Sequence, residues 1–279
     1  MVGLTSLRIM AMKEDEIQIL GRKHRKFPRN KYRWLVLLIV LLLAILFIAL
    51  YIADNNRRKD VMQKMKEDLR PLSELQSQSS GLYEFDTEVN DVHIYTLHLM
   101  NVNAQLTQNI PQDEDTTVLL SALATSVQPI EGDLVIDGRL INRGKPMNGF
   151  CAIIDGNVAI GETTDDDAIN YCIEHKGSFF RQHLLIKEGK IMDVPIKGKA
   201  PRCALVRQGN DMYFVYTPDE ESVHDFAEVM VDIGVLDALL LDESLISLHY
   251  ITEDNDYTYE PDSVTAMKEG NSYLVIKER

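Results

Sequence analysis

The chain is poor in the residues that define several protein classes. Its 279 residues include only three cysteines, Cys151, Cys172 and Cys203, and no two of them form a C-x-x-C motif. This excludes a disulfide-dense scaffold and a zinc ribbon. One disulfide with one free thiol and three buried thiols both remain open from the sequence. Nine prolines and fifteen glycines are too few for a fibrous or low-complexity chain.

Several functional motifs are also missing. The seven histidines form neither H-x-x-x-H nor H-E-x-x-H, and the chain contains no G-x-S-x-G sequence and no glycine-rich phosphate loop. We therefore predict no metal site and no cofactor. The acidic group Glu253, Asp254 and Asp256 lacks the glycine of a calcium loop and is interpreted as a solvated loop. No Asn-x-Ser/Thr sequence occurs, which favours a bacterial envelope over a glycosylating compartment.

Positive charge is scarce beyond the first 59 residues. Residues 1–59 hold 12 Lys/Arg and 4 Asp/Glu, whereas the remainder holds 17 and 39 and carries a net charge of −22. Such an acidic region repels phosphate backbones, so nucleic acid is excluded as a partner. The apolar fraction of 45% excludes a disordered chain.

One long apolar run stands near the N-terminus. Residues 34–53 contain no charge, and as a helix they would span ~30 Å, the thickness of a bilayer core. Trp34 and Tyr51 lie near its ends, where aromatic rings prefer the interface. A cleaved signal peptide is the alternative, but the run is long, follows a 33-residue leader and precedes no small-x-small cleavage site. We predict a single-pass membrane anchor.

The flanking charges indicate an orientation. The basic cluster within residues 22–33 is denser than the one within residues 57–70, which favours a cytoplasmic N-terminus. We expect the inner membrane as the location, with the C-terminal domain periplasmic or extracytoplasmic. The predicted organisation is a basic leader, a transmembrane helix, a helical stalk with a polar linker, and a folded domain, at residues 1–33, 34–53, 54–81 and 82–279.

The stalk has a helical apolar pattern. Val61, Met65, Leu69 and Leu72 recur at spacings of three and four, and Pro71 is expected to end the helix. Two interpretations are open: a homodimer through residues 55–75, or a solvated spacer. The segment is short for a coiled coil, which favours the spacer.

The remainder predicts hairpins and a few helices. An apolar strand, a polar residue, a glycine and a second strand recur at residues 134–141, 151–160, 183–194, 203–216 and 266–277. Asp-Gly is a strong signal for a tight hairpin. The predicted fold class is α+β: hairpin-rich, mixed and mostly antiparallel sheets with packed helices, preceded by the transmembrane helix.

Two segments predict helices. Thr164 is a candidate N-cap for a helix to His175, with three aspartates in its first turn. The clearer helix covers residues 223–232, with Ser222 and Asp225 in a near capping box and a stop at residue 234.

Two arginines lie in apolar surroundings. Arg181 follows two phenylalanines, and Arg202 opens a predicted strand. A buried guanidinium requires an anionic partner or an exit to water. The partner is either internal, with Asp237 or Asp242 as candidates, or a bound phosphate or carboxylate. Asp242 itself ends an apolar strand, a common place for a site residue.

The order of these features resembles the phosphodiester glycosidase family over residues 120–247. The matching segments are the hairpin at 134–141, the strand and turn at 150–156, residues 178–189, the Pro-Arg-Cys-Ala-Leu strand at 201–205, the helix at 225–235 and Asp-Ala-Leu-Leu-Leu-Asp at 237–242. The resemblance implies hydrolysis of a glycosyl phosphodiester. It implies Asp242 as the catalytic residue, and Arg202, Arg181 and Gln182 as substrate-binding residues.

The sequence departs from the family at two motifs. The family follows its aspartate with a glycine run, whereas here Glu243, Ser244 and Leu245 follow Asp242. Glycines at such a place let backbone N–H groups approach an anion. The family's early Asn-Gly-Gly-Phe turn aligns with residues 122–126, which lack the asparagine and the aromatic ring.

These departures favour a diverged, non-catalytic member. We expect a membrane-anchored envelope protein that binds an envelope glycan, a phosphoglycan or a protein partner. The alternative is an active hydrolase of a sugar-1-phosphodiester with a rearranged pocket. A structural or assembly role is a third interpretation, and the sequence leaves the catalytic status open.

Overall fold

The computed structural model describes most of the chain after the leader. The described residues are 29–69, 81–100, 102–108, 117–122, 132–163, 165–209, 211–241, 245–251, 256–259 and 272–278. Several sequence predictions lie outside them: the leader before residue 29, most of the polar linker, Asp242 with the two residues after it, and the first strand of the hairpin predicted at 266–277.

Three helices and seventeen strands make up the described structure. The helices are α1 Arg29–Asp68, α2 Asp167–Glu174 and α3 Val223–Asp232. The strands are β1 Gly81–Val89, β2 Val92–Met100, β3 Val102–Thr107, β4 Thr117–Ala122, β5 Leu134–Ile136, β6 Arg139–Asn142, β7 Gly149–Ile154, β8 Asn157–Glu162, β9 Ser178–Gln182, β10 Leu184–Lys187, β11 Lys190–Ile191, β12 Lys199–Gln208, β13 Asp211–Ser222, β14 Asp237–Leu241, β15 Leu245–Ile251, β16 Asp256–Tyr259 and β17 Tyr273–Glu278.

The chain divides into two compact units, residues 1–53 and 54–279. The described part of the first unit is the apolar beginning of α1, whose side chains from Tyr32 onward are exposed. By length and composition this helix can cross a membrane, and a signal sequence would have the same length and composition.

The second unit contains three sheets. Sheet A has seven strands in the order β1-β2-β13-β12-β14-β10-β11, sheet B has the order β16-β15-β4-β17-β3, and sheet C has the order β6-β5-β9-β7-β8. Each pairing between described strands is antiparallel. The α+β prediction is therefore confirmed.

Sheets A and C pack against each other, and helices cover their outer faces. Alternate residues of one strand point to opposite faces, so each strand feeds two apolar clusters. On β12, Cys203 joins the inner cluster between the sheets and Ala204 joins the cluster under α3. On β9, Phe180 joins the inner cluster and Phe179 the cluster with α2. Strands β3 and β17 of sheet B also contribute to the inner cluster.

The hairpin turns follow their predicted chemistry. Asp137 and Gly138 have φ of 49° and 74°, and Asp155 and Gly156 have φ of 51° and 78°. Two successive positive φ values define the turn that matches the twist of a hairpin, and the glycine adopts it without strain. The β1–β2 hairpin was not predicted, because its turn has no glycine: the two residues at positive φ are Asn90 and Asp91.

The helix predictions are confirmed with one shift. Helix α3 has its predicted bounds, and the Ser222 hydroxyl accepts a hydrogen bond from the backbone N–H of Asp225 at 3.0 Å. Helix α2 begins at Asp167 rather than next to Thr164. Its N-cap is Asp166, whose side chain makes no capping bond, and the carboxylate of the residue before it, Asp165, accepts a bond from the N–H of Asp167 at 3.1 Å.

The stalk interpretation needs correction over residues 61–69, which pack against the domain, whereas the side chains of residues 54–60 are exposed. Met65 is 2% exposed and Leu69 is 9% exposed. Together with half-buried Val61 and Met62 they join the apolar cluster on the outer face of sheet C. A solvated spacer does not describe residues 61–69. Within the described part of the segment predicted for a homodimer, the apolar side chains of residues 61–69 are covered by the chain's own domain.

The three cysteines are free and buried. Burial raises the pKa of the Cys151 thiol, and it raises the pKa of the Cys172 thiol to about 12. Of the two alternatives open from the sequence, three buried thiols is correct, because these side chains fill apolar clusters rather than meeting as a pair.

We predict that Ser222→Ala lowers the free energy of unfolding by about 1 kcal/mol, because the N–H of Asp225 loses its acceptor. Chemical denaturation of the full chain in nonionic detergent would measure this. Ser222→Asp is the matched control and should remain near wild type, since a carboxylate caps equally well. Equal loss in both variants would contradict the role of the cap.

Candidate functional site

Arg181 lies on β9 and is 3% exposed. Its Nε donates to the Asp133 carboxylate at 2.7 Å. Its terminal nitrogens donate to three backbone carbonyl oxygens: Thr163 at 3.2 Å, Met147 at 3.4 Å, and Asp165. The guanidinium therefore connects the start of β5, the segment before β7 and the segment before α2.

The pair of Arg181 and Asp133 is internal to the domain. The second carboxylate oxygen of Asp133 accepts a bond from the N–H of Gly144 at 3.0 Å, and its backbone oxygen accepts one from the N–H of Arg181 at 3.0 Å. An internal salt bridge was one of the two alternatives. Its carboxylate is Asp133 and not Asp237, which instead pairs with Lys64 and Arg207.

Arg202 lies on β12 and is 4% exposed. Its Nε donates to the backbone oxygen of Glu221 at 3.0 Å, and its Nη2 donates to the backbone oxygen of Gly198 at 3.0 Å. These bonds join the segment that enters β12 to the end of β13, next to the first residue of α3.

The structure does not bring the two arginines together. Arg202 precedes Cys203, which faces the inner cluster, so its side chain lies on the α3 side of sheet A. Arg181 follows Phe180, which also faces the inner cluster, so its side chain lies on the α2 side of sheet C. Consistently, the guanidinium of Arg181 lies 5.9 Å from the ring of Phe179. Two sheets separate the two guanidinium groups.

The other two candidate residues occupy different situations. Gln182 is half-buried at the end of β9, and its side-chain oxygen accepts a bond from the N–H of His183 at 3.0 Å. Asp242 lies outside the described residues. The residue before it, Leu241, pairs with Cys203, the neighbour of Arg202. Of the two arginines, Arg202 therefore lies on a strand that pairs with β14, the strand that Asp242 follows in the sequence.

Asp237 opens β14 and has a structural role. Burial works to raise its pKa, but the N–H of Glu188 and the charges of Arg207 and Lys64 outweigh burial, so the pKa is lowered. The carboxylate is therefore ionised at neutral pH. All of these partners are groups of the domain itself, so Asp237 connects parts of the fold to one another.

A hollow of about 340 Å³ lies beside α3, on the face of sheet A that also carries Arg202. Seven apolar side chains line it, together with Asp193 and His224: Leu185, Ile191, Met192, Val194, Ile196, Val223 and Ala227. Its chemistry suits an apolar group and not a phosphate. Over the described ranges, no three His, Cys, Asp or Glu side chains are grouped to hold a metal ion.

The sequence analysis missed Asp133, the partner that decides the role of Arg181. It lies 48 residues from Arg181 in the chain, directly before β5. A carboxylate beside an apolar strand is the only local signal, and Asp237 shows the same pattern with a different partner. Only the pairing of β5 with β9 identifies which carboxylate Arg181 meets.

Comparisons with known proteins show likeness at the level of the fold. No protein-family model and no curated protein matches the sequence. The structure is similar to the zebrafish N-acetylglucosamine-1-phosphodiester alpha-N-acetylglucosaminidase catalytic domain auto-inhibited by pro-peptide, with a TM-score of 0.51 and 14% identity, over 76% of this chain and 86% of that chain. A hypothetical protein from Synechocystis gives a TM-score of 0.42 at 11% identity, over 70% of this chain and 61% of that chain. The chain thus has a distant structural relation to a phosphodiester glycosidase domain.

Proposed function

We propose that the chain is a membrane-anchored envelope protein whose domain binds an envelope glycan without hydrolysing it. The apolar helix supplies the anchor. The fold likeness to the zebrafish catalytic domain supplies the carbohydrate-related scaffold. The orientation that we propose keeps the N-terminus in the cytoplasm and the domain in the periplasm, as the flanking charges favour.

The observation that carries this proposal is the internal engagement of Arg181. Phosphoryl chemistry needs positive groups that converge on one anion and are free to bind it. Arg181 instead gives its hydrogen bonds to Asp133 and to backbone carbonyls, on the opposite side of the sheets from Arg202. A substrate phosphate would meet one buried arginine at most.

The sequence after β14 supports the same conclusion. Glu243, Ser244 and Leu245 replace the glycines of the family pattern. A glutamate next to Asp242 adds negative charge where a phosphodiester would approach, and it removes a place where backbone N–H groups could bind the anion. Neutral sugar hydroxyls tolerate such a site, since carboxylates accept and guanidinium groups donate hydrogen bonds to them.

An active hydrolase remains the second candidate. It is favoured by one observation, that the fold likeness extends over 86% of a catalytic domain. Under this alternative Asp242 acts as an acid or base and Arg202 binds the phosphate, with Gln182 as an additional polar contact.

We predict that the full chain in nonionic detergent does not release N-acetylglucosamine from a sugar-1-phosphodiester above the background of Arg202→Ala. We also predict that immobilised envelope glycan retains the chain. Hydrolysis that disappears in Asp242→Asn would establish the second candidate instead. Absence of both hydrolysis and retention would contradict glycan binding.

A second prediction separates structure from binding at Arg181. Arg181→Ala leaves the Asp133 carboxylate buried without its partner, so we expect a loss of about 3–5 kcal/mol in the free energy of unfolding, measured by denaturation. Glycan retention by the remaining folded protein should be unchanged. Wild-type stability combined with lost retention would instead assign Arg181 to the ligand.

A further inference from the structure

Residues 54–69, which we call the strap, attach to the domain through few apolar side chains. Met65 and Leu69 are buried, and Val61 and Met62 are half-buried. The surface beneath them belongs to sheet C and α2 and includes Phe150. The strap thus contributes two buried side chains to its cluster, whereas the sheets contribute most of the others.

Ion pairs hold the N-terminal end of the strap. Arg57 lies 2.6 Å from the Glu162 carboxylate, which also binds Lys187. Burial works to raise the pKa of Glu162, but these two cations outweigh it and lower the pKa. Arg58 lies 3.5 Å from the Asp165 carboxylate, whose other oxygen accepts a bond from the start of α2.

Ion pairs also hold the C-terminal end of the strap. Lys64 lies 3.1 Å from Asp237, and Asp68 lies 3.7 Å from Arg207. Hydrogen bonding at this end is incomplete, since one oxygen of Asp68 and the Nε of Arg207 are buried without a hydrogen-bond partner. Burial raises the pKa of Asp68 against the effect of the nearby cations.

The two kinds of attachment respond differently to salt. Ion pairs with exposed members, such as Arg57 at 54% and Lys64 at 47%, are screened by added salt. The cluster between sheets A and C is apolar, and the backbone hydrogen bonds of the antiparallel ladders join groups without net charge, so neither is screened. Segments with few buried apolar contacts open locally at a lower free energy than the core.

We propose that the strap is a detachable element, which leaves the domain as a unit at high ionic strength while the three sheets remain folded. Its departure uncovers the outer face of sheet C. It also removes the Arg58 contact from Asp165, the residue whose backbone oxygen binds Arg181. The strap therefore regulates the order at the start of α2. This inference does not rest on the proposed function.

Hydrogen exchange of the full chain in nonionic detergent tests the proposal. Between 0.05 M and 1 M NaCl, values chosen to change the screening length roughly fourfold, amides of residues 61–69 should exchange at least tenfold faster. Amides of β7 and β12 should keep their rates. The double variant Arg57→Gln/Lys64→Gln should show fast strap exchange already at low salt.

The native thiols give a second measurement. Cys172 lies in the cluster that the strap covers, whereas Cys151 and Cys203 lie between the sheets. Modification of Cys172 by a thiol reagent should become faster in the double variant, with the other two unchanged. Lys199→Gln is the matched control, because it breaks a surface pair with Glu221 on sheet A that does not involve the strap.

Two results would overturn the proposal. One is strap exchange that occurs only together with exchange of β7 and β12 at both salt concentrations, which would make the strap part of the global unfolding unit. The other is an equal effect of Lys199→Gln on strap exchange, which would mean a general response to lost surface charge.

Discussion

The face-to-face packing of sheets A and C constrains every other part of the domain. Because side chains alternate along a strand, a residue of β9 or β12 faces either the inner cluster or one of the helix-covered outer faces. Phe180 and Cys203 both face the inner cluster. Arg181, the residue after Phe180, therefore faces the outer side of sheet C, and Arg202, the residue before Cys203, faces the outer side of sheet A. A shift of one position on either strand would place an arginine in the apolar interior, at a prohibitive cost. The separation of Arg181 and Arg202 thus follows from strand register.

Each arginine is stabilised in its layer by groups that the fold has already fixed. Arg181 bonds to the Asp133 carboxylate and three carbonyl oxygens and lies 3.6 Å from the Asp166 carboxylate, and Arg202 meets carbonyl oxygens at the end of β13 and before β12. Such bonds replace the hydration that a buried guanidinium loses. The Asp133 carboxylate also orders the segment at Gly144. Arg181 resembles a binding-site residue in the sequence, but in the structure its hydrogen bonds connect secondary-structure elements.

Local chemistry made part of this structure predictable. Asp-Gly turns at residues 137–138 and 155–156 and the capped helix α3 depend on neighbours within a few residues, so the sequence alone identified them. The partner of Arg181 was not predictable, since Asp133 is 48 residues away and reaches it through strand pairing. The apolar stripe at Val61 and Met65 was recognised as helical, but periodicity does not say what a stripe faces. For the candidate site, the sequence located the strand of Arg202 and could not show that Arg181 lies elsewhere.

The free thiols have a consequence for where the domain can exist. Since Cys151, Cys172 and Cys203 remain reduced within apolar surroundings, no covalent cross-link closes a loop of the described chain. The folded state therefore needs no oxidant to form and loses nothing to a reductant. A thiol sealed in this way is also protected from modification by peroxide, because its thiolate form is suppressed. Disulfide formation therefore contributes nothing to the stability of this fold, whose described residues are held together by apolar packing and hydrogen bonds.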